Sequence, residues 1–442
     1  MGPQSIEGTV LGQDSWLSLM SILIDLVYLL GLLAASPVLL PRLFIRWKRK
    51  YDWRARLGHV SRLRPSESPR ILIHSVSVGE VNAIGTLVTN ILKQPDPCEV
   101  VIAVTTETGF SRASALYGDR CKVVRYPLDF SRSVRRFLDS IQPDLAVMVE
   151  LELWPNFTRE CRRRDIPLAV VNGRLSQRSF RGYSRAALFI RPMFRRLNVA
   201  AVQTNTYAER FRALGASRSA VTVTGTMKWD SALTTEHSEK AHALAESLGI
   251  DPGKPLLVAG STAPEEHALL VDATPPGVQL LCAPRRPEWF DDAARVMNGC
   301  ARRSLGESGS EHGRFLLDTI GELSSAYALA DVVVVGRSFG NLHGSDMMEP
   351  CALGKPVVVG PETGDFTDTV EKLLEGDGLI VTESCDLRDV LAQLFNSPEM
   401  RSRLSDNARA VVLSEQGATE RTRSLLENLV RASFSKKRAV DA

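Results

Sequence analysis

Several short stretches place chemistry-bearing side chains where a chain can present them. Glu80 lies in HSVSVGEVNAIG (74–85), after the apolar run Ile71-Leu72-Ile73 and a small-residue turn containing Gly79. A carboxylate at such a turn suits removal of a proton from a hydroxyl group, and also suits the first turn of a helix as a favourable charge. Glu150 and Glu152 end the apolar run in PDLAVMVELELWPN. Alternate positions on a strand share one face, so the two acids are expected at one pocket. Lys228, in VTGTMKWD, is a cation fit for a carboxylate or phosphate. Arg285 and Arg286 follow the apolar part of VQLLCAPRRPEWF, and Gly321 and Glu322 stand in DTIGELSS. AGSTAPEEH reads as a small-residue turn into a helix, an anion-binding geometry. In VVVVGRSFGNLHGSDMMEPCALGKP, Asp346 and Glu349 open a helix after a Gly-punctuated loop. A carboxylate there suits the two hydroxyls of a ribose, and the helix N-terminus suits a phosphate.

The elements that must hold these loops alternate along the chain. RILIHSV, EVVIAVT, CKVVRYP, DLAVMVE, PLAVVN, VAAVQT and AVTVTG read as strands of one unit. PLLVAGS, VQLLCAP, RFLLDT, DVVVVGRS, PVVVGP and GLIVTE read as strands of another. Near-continuous apolar strands alternating with helical segments predict parallel sheets covered on both faces. Ligands of such sheets lie beyond the carboxyl ends of the strands, where all the stretches above fall. Two such units in tandem predict a cleft between them.

Composition narrows the function. The 442 residues, 44% of them hydrophobic and 24% charged, carry a net charge of +3, which gives no electrostatic case for nucleic acid. The seven cysteines lack paired spacing, and the histidines lack zinc-ligand spacing, so no structural metal is expected. Residues 16–45 contain no Lys or Arg before Arg42 and a single acid, Asp25. The stretch is long enough to cross a bilayer, the alternative being a buried or interfacial apolar helix; as a span, with the basic residues that follow it, it predicts the rest of the chain in the cytosol. Phe180, Phe189 and Phe194 beside Arg191, Arg195 and Arg196 suit an anionic membrane surface.

Taken in order, HSVSVGE, TTETG, ELELWPN, NGRLSQRS, TGTMKWD, GSTAPEE, PRRPEWF, DTIGEL and DMMEPCALGKPVVVGP make residues 16–425 resemble a known family. It is the membrane-anchored Kdo (3-deoxy-D-manno-octulosonic acid) transferases of lipopolysaccharide assembly. The resemblance implies an α/β chain of GT-B type: two Rossmann-like doubly wound domains facing a central cleft, plus an N-terminal transmembrane helix. It implies a CMP-Kdo donor, a lipid A precursor as acceptor and inversion at the anomeric carbon; no DxD-like motif stands at a strand end, so no metal or other cofactor is expected for transfer. Contact with membrane lipid at the cytoplasmic face of the inner membrane, with a single-pass anchor, belongs to the same expectation. The corresponding division is a membrane anchor at 1–45, an acceptor-binding domain at 46–230, a linker at 231–254, a CMP-Kdo-binding domain at 255–425 and a basic tail at 426–442.

Position by position, the resemblance makes Glu80 the catalytic base and gives Glu150 and Lys228 a part in stabilising the transition state. Pro284 and Arg285 match its cytidine-binding turn, and Ile320, Gly321 and Glu322 a second nucleotide loop. Asp346, Met347, Met348 and Glu349 match its ribose-and-phosphate loop, with Glu349 on the ribose. The chain departs from the family pattern at Arg286, where His is usual, at Arg337, where Gly is usual, and at Ser345-Asp346, where His-Asn is usual. Arg337 is expected to pair with Asp346. Two other readings stay open: a donor carrying another CMP-linked ulosonic acid, and a nucleotide-sugar epimerase of the same fold.

Overall fold

The Val-, Ile- and Leu-rich runs have no polar face to show water, so they form parallel strands with helices on both sides. In the computed structural model, which describes residues 21–31, 33, 52–96, 98–231 and 238–441, they build two seven-stranded sheets in two units. The first unit is Met1–Met227 with Gly417–Ala442, and the second is Lys228–Gln416.

In the first unit the strands are β1 (Arg70–Ser75), β2 (Glu99–Val104), β3 (Lys122–Arg125), β4 (Leu145–Val149), β5 (Leu168–Gly173), β6 (Val199–Val202) and β7 (Val221–Val223). Their order is β3-β2-β1-β4-β5-β6-β7, all parallel, with Ile73 opposite Ile102 on one side and Val147 on the other. The strand order therefore reverses between β1 and β4, and the loops leaving these two strands diverge to open a crevice. One core, with Leu72, Phe137 and Phe157, covers one face, and a second, with Ile73, Leu87 and Val147, covers the other.

The helix Ala418–Asp441 closes that second core through Ala418, Leu426 and Val430. The expected division gave this segment partly to the second domain and partly to a tail. Its apolar stripe at four-residue spacing is instead buried in the first unit.

In the second unit the strands are β8 (Leu256–Thr262), β9 (Gln279–Pro284), β10 (Ala301–Arg302), β11 (Arg314–Leu316), β12 (Val332–Val335), β13 (Val357–Val359) and β14 (Ile380–Val381). They run β10-β11-β9-β8-β12-β13-β14, again all parallel, and the order reverses between β8 and β12. The two-residue β10 has no apolar run to announce it. Within 231–254, expected as a linker, Ser238–Leu248 forms a helix. Its Leu244 and Leu248, spaced four apart, join Trp229 in the core.

Most of the expected membrane span, 16–45, lies outside the described residues. Residues 21–31 form a helix whose polar side chains hold the first unit. Asp25 accepts hydrogen bonds from the Ser131 N–H (3.0 Å), the Ser131 hydroxyl (2.5 Å) and the Asn156 amide (2.9 Å), and the Tyr28 hydroxyl donates to Asp129 (2.9 Å). Among the described residues no helix is long and apolar enough to cross a membrane.

Candidate active site

In the first unit the site forms at the carboxyl ends of β1 and β4. The helix Val78–Ala83 begins just past β1 with Ser77 as its N-cap. The Ser77 hydroxyl accepts the Glu80 N–H (3.3 Å) and donates to Glu80 Oε1 (2.9 Å), while the Val76 N–H donates to Oε2 (2.8 Å). Glu80 thus answers the Ser77 cap by reaching back to the N–H of Val76, one residue before the N-cap, and closes the helix end just past β1. It is 9% exposed, and burial pushes its carboxyl from the usual 4.5 up to about 7. The two donors oppose that rise, and the charges of Glu150 and Glu152 add to it. A carboxyl that titrates near neutrality is matched to taking a proton from a hydroxyl group at a pH close to 7.

His74, in the same stretch, is no rival base. Its Nδ1 meets the Ala103 carbonyl at 3.0 Å, its ring stacks on Tyr126 at 3.5 Å, and full burial lowers its pKa to about 3.

β4 ends at Val149, and Glu150 stands beyond it with φ of 58°, in the left-handed region. The strand alternation expected to align Glu150 with Glu152 therefore stops one residue short. Glu152 accepts from the Trp154 indole (3.1 Å), and burial raises its pKa. Both acids still reach Glu80 electrostatically, because β4 lies beside β1.

In the second unit a cavity of about 350 Å³ opens past β8, β9 and β12. Its lining includes Pro284, Arg285, Ile320, Gly321, Asp346 and Glu349 of the expected residues. It also includes Tyr327 and Phe366, which no motif reading singled out, with Ser261 from the small-residue turn of AGSTAPEEH and Arg337, one of the departures from the family pattern. Ile320 is 82% exposed, an apolar side chain presented to whatever enters.

Three expected residues sit differently. Met347 and Met348 are buried in the core of the second unit, so only their backbone is near the loop's chemistry. Glu322 turns aside to Arg303 (3.0 Å) and the Thr319 hydroxyl (2.5 Å), bonds that hold its pKa low and brace the loop. The helix expected to offer its N-terminus to a phosphate, Met348–Ala352, is five residues long.

Asp346 accepts the Met348 N–H (2.9 Å). Enclosure raises its carboxyl, and Lys228 opposes the rise. Lys228 also lies 5.9 Å above the Phe366 ring. The expected Arg337–Asp346 pair does not form, because the Arg337 guanidinium donates instead to the Leu342 carbonyl (2.8 Å). Arg286 stacks over Trp289 (4.9 Å) and faces Glu288.

Beneath the cavity, Glu266 ties the loop after β8 to the loop after β12. Its carboxylate accepts the N–H groups of Ala263 (2.8 Å), Arg337 (2.8 Å), Ser338 (2.9 Å) and Phe339 (3.1 Å). Gly336 makes the approach possible, since a Cβ there would lie 2.6 Å from both Glu266 Oε2 and Thr262 Cα. The second acid of GSTAPEE was the available signal, three residues into a helix as a capping acid should be.

The family described as "3-Deoxy-D-manno-octulosonic-acid transferase (kdotransferase)" matches residues 51–231. The 3-deoxy-D-manno-octulosonic acid transferase of Bordetella pertussis is 32% identical over 91% of this chain and 98% of its own length. That of Haemophilus influenzae is 31% identical over 81% of this chain and 86% of its own. Among solved structures, UDP-GlcNAc 2-epimerase from Neisseria meningitidis aligns with a TM-score of 0.58, covering 81% of this chain and all of that one. A putative UDP-N-acetylglucosamine 2-epimerase from Listeria monocytogenes gives 0.56, covering 81% of this chain and 96% of that one. At 12% and 14% identity these two speak for the fold alone: two parallel-sheet α/β units. The sequence relatives, matched along nearly their whole length, decide the family: this chain belongs to the 3-deoxy-D-manno-octulosonic acid transferases.

Proposed function

We propose that this chain transfers Kdo from CMP-Kdo to a lipid A precursor, with inversion at the anomeric carbon and Glu80 as general base. The observation that carries this reading is the place of the Glu80 carboxylate, just past β1 and beside the strand β4 that leads to Glu150, in a chain of the 3-deoxy-D-manno-octulosonic acid transferase family. Departure of CMP leaves an oxocarbenium-like sugar. Glu80 takes the proton of the attacking hydroxyl as the new bond forms, and the phosphate leaves with the old bond's electron pair. Glu150 supports the positive charge developing on the sugar. Lys228 balances the anionic donor. Pro284 and Arg285 hold the base, Ile320 and Gly321 flank the nucleotide, and Glu349 receives the ribose hydroxyls.

The reading includes action at the cytoplasmic face of the inner membrane. In support, helical residues 21–31 and 33 expose Ile22, Leu23, Leu26, Val27, Leu29, Leu30 and Leu33. Leu188 and Phe189 stand exposed on the helix Ala187–Phe194, which carries Arg191, while Phe194 and Phe180 pack against the core.

Purified, detergent-solubilised protein incubated with CMP-Kdo and a tetraacylated lipid A precursor tests the whole, with products read by mass spectrometry. A gain of one or more Kdo units is expected. CMP-Kdo bound without a gain would overturn the acceptor assignment. No binding of CMP-Kdo would overturn the donor.

A further inference from the structure

We propose that Arg337 is an anion-binding residue of the second-unit cavity, gripping an oxyanion of the donor nucleotide sugar; the inference rests on the donor reading above. Arg337 follows β12 and Gly336, at the point where the strand order of its sheet reverses. Its φ is 60°, in the left-handed region, where a residue with a Cβ is disfavoured relative to glycine. The surroundings enforce this conformation. Glu266 takes the N–H groups of residues 337–339, and the Arg337 carbonyl accepts the Gly344 N–H (2.8 Å). Glycine would satisfy that backbone better, so what arginine adds at this point is its side chain.

That side chain lines the cavity together with Arg285, Asp346 and Glu349. Of its five N–H donors, one is directed to a neutral carbonyl, that of Leu342. Among the described residues no carboxylate lies within ion-pair distance of it. Asp346, the nearest expectation, is engaged by the Met348 N–H and by the charge of Lys228. A half-buried arginine that lines a cavity, with a forked guanidinium of five donors, is matched to a planar or tetrahedral oxyanion. The donor offers two such groups, the phosphate and the sugar carboxylate.

Arg337→Gly removes the side chain and suits the left-handed backbone, so the variant should fold with a Tm equal to or above that of the native chain. Calorimetric Kd values for CMP and for cytidine, and KM for CMP-Kdo, separate the sources. If Arg337 holds the phosphate, the variant binds CMP roughly tenfold to a hundredfold more weakly and cytidine unchanged. If it holds the carboxylate, CMP binding is unchanged and KM for CMP-Kdo rises by a similar factor. Arg337→Lys should restore part of either loss, since it returns the charge without the fork. Kd for CMP and KM for CMP-Kdo both within twofold of native would overturn the inference and leave Arg337 a brace for the Leu342 turn. A native chain that binds neither CMP nor CMP-Kdo would overturn it together with the donor reading, a failure visible before any variant is made.

Discussion

The Ser77 hydroxyl donates to Oε1 of Glu80 at 2.9 Å and accepts the Glu80 N–H at 3.3 Å, so one side chain both caps the helix and restrains the proposed base. A hydrogen bond to a carboxylate favours its charged form and lowers its pKa. Ser77→Ala should therefore push the Glu80 pKa further above 7, moving the acid limb of the kcat/KM profile for transfer upward. Loss of the cap should also cost about 1 kcal/mol of stability. An acid limb that stays put would detach Glu80 from the rate.

Glu80→Gln should abolish most transfer, by roughly a hundredfold to ten-thousandfold in kcat, with CMP affinity unchanged. Its effect on stability should be opposite in kind. The unfolded carboxyl gives up its proton near 4.5, whereas the folded one holds it to about 7. Between those values the folded state binds more protons, so native stability falls as pH rises through the window. Above pH 7 the cost is complete, on the order of 3 kcal/mol. Tm measured against pH should show the variant gaining on the native chain from pH 4.5 to pH 8. Parallel curves would refute the raised pKa.

Gly260 on β8 faces Tyr327, whose hydroxyl oxygen would lie 2.1 Å from a Cβ. The obstacle is a buried ring that borders the second-unit cavity. Gly260→Ala should destabilise the second unit by about 1–3 kcal/mol and weaken CMP binding. Denaturant unfolding and calorimetry would read both, and a native-like result on either would mean that Tyr327 moves freely.

Asp25 is the sole acceptor that the helix over 21–31 offers to Ser131 and Asn156 among the described contacts. Asp25→Leu leaves those donors unsatisfied, a cost of about 1–3 kcal/mol. Residues 21–31 should then exchange amide hydrogens faster and be cut sooner by protease, while the strands of the first sheet stay protected. Unchanged protection would show that apolar contacts alone seat the helix.

The strand pattern was legible because buried parallel strands must be apolar throughout, and thirteen runs read from the sequence became strands. Glu80 was legible from its turn, and SVGE carried its capping partner as well, since a serine three residues before a glutamate is a local signal. The direction of Glu150 was not legible. It depends on where β4 stops and on one left-handed residue, neither of which residue type declares. Met347 and Met348 stood inside a motif whose flanking acids line the cavity, yet apolar side chains in a tight loop find the core first. Asp25 read as an oddity in an apolar stretch because its partners are more than 100 residues away.

The first unit takes its last helix from the far end of the chain, with the whole of the second unit intervening. During synthesis Lys228–Gln416 is contiguous and can fold as soon as it leaves the ribosome. The first sheet, though begun earlier, keeps an open apolar flank at Ile71, Leu87 and Val88 until Ala418, Leu426 and Val430 arrive. The half of the molecule made first is thus finished last. A nascent chain stalled near residue 416 would carry a complete second unit and a first unit still in need of a chaperone's cover.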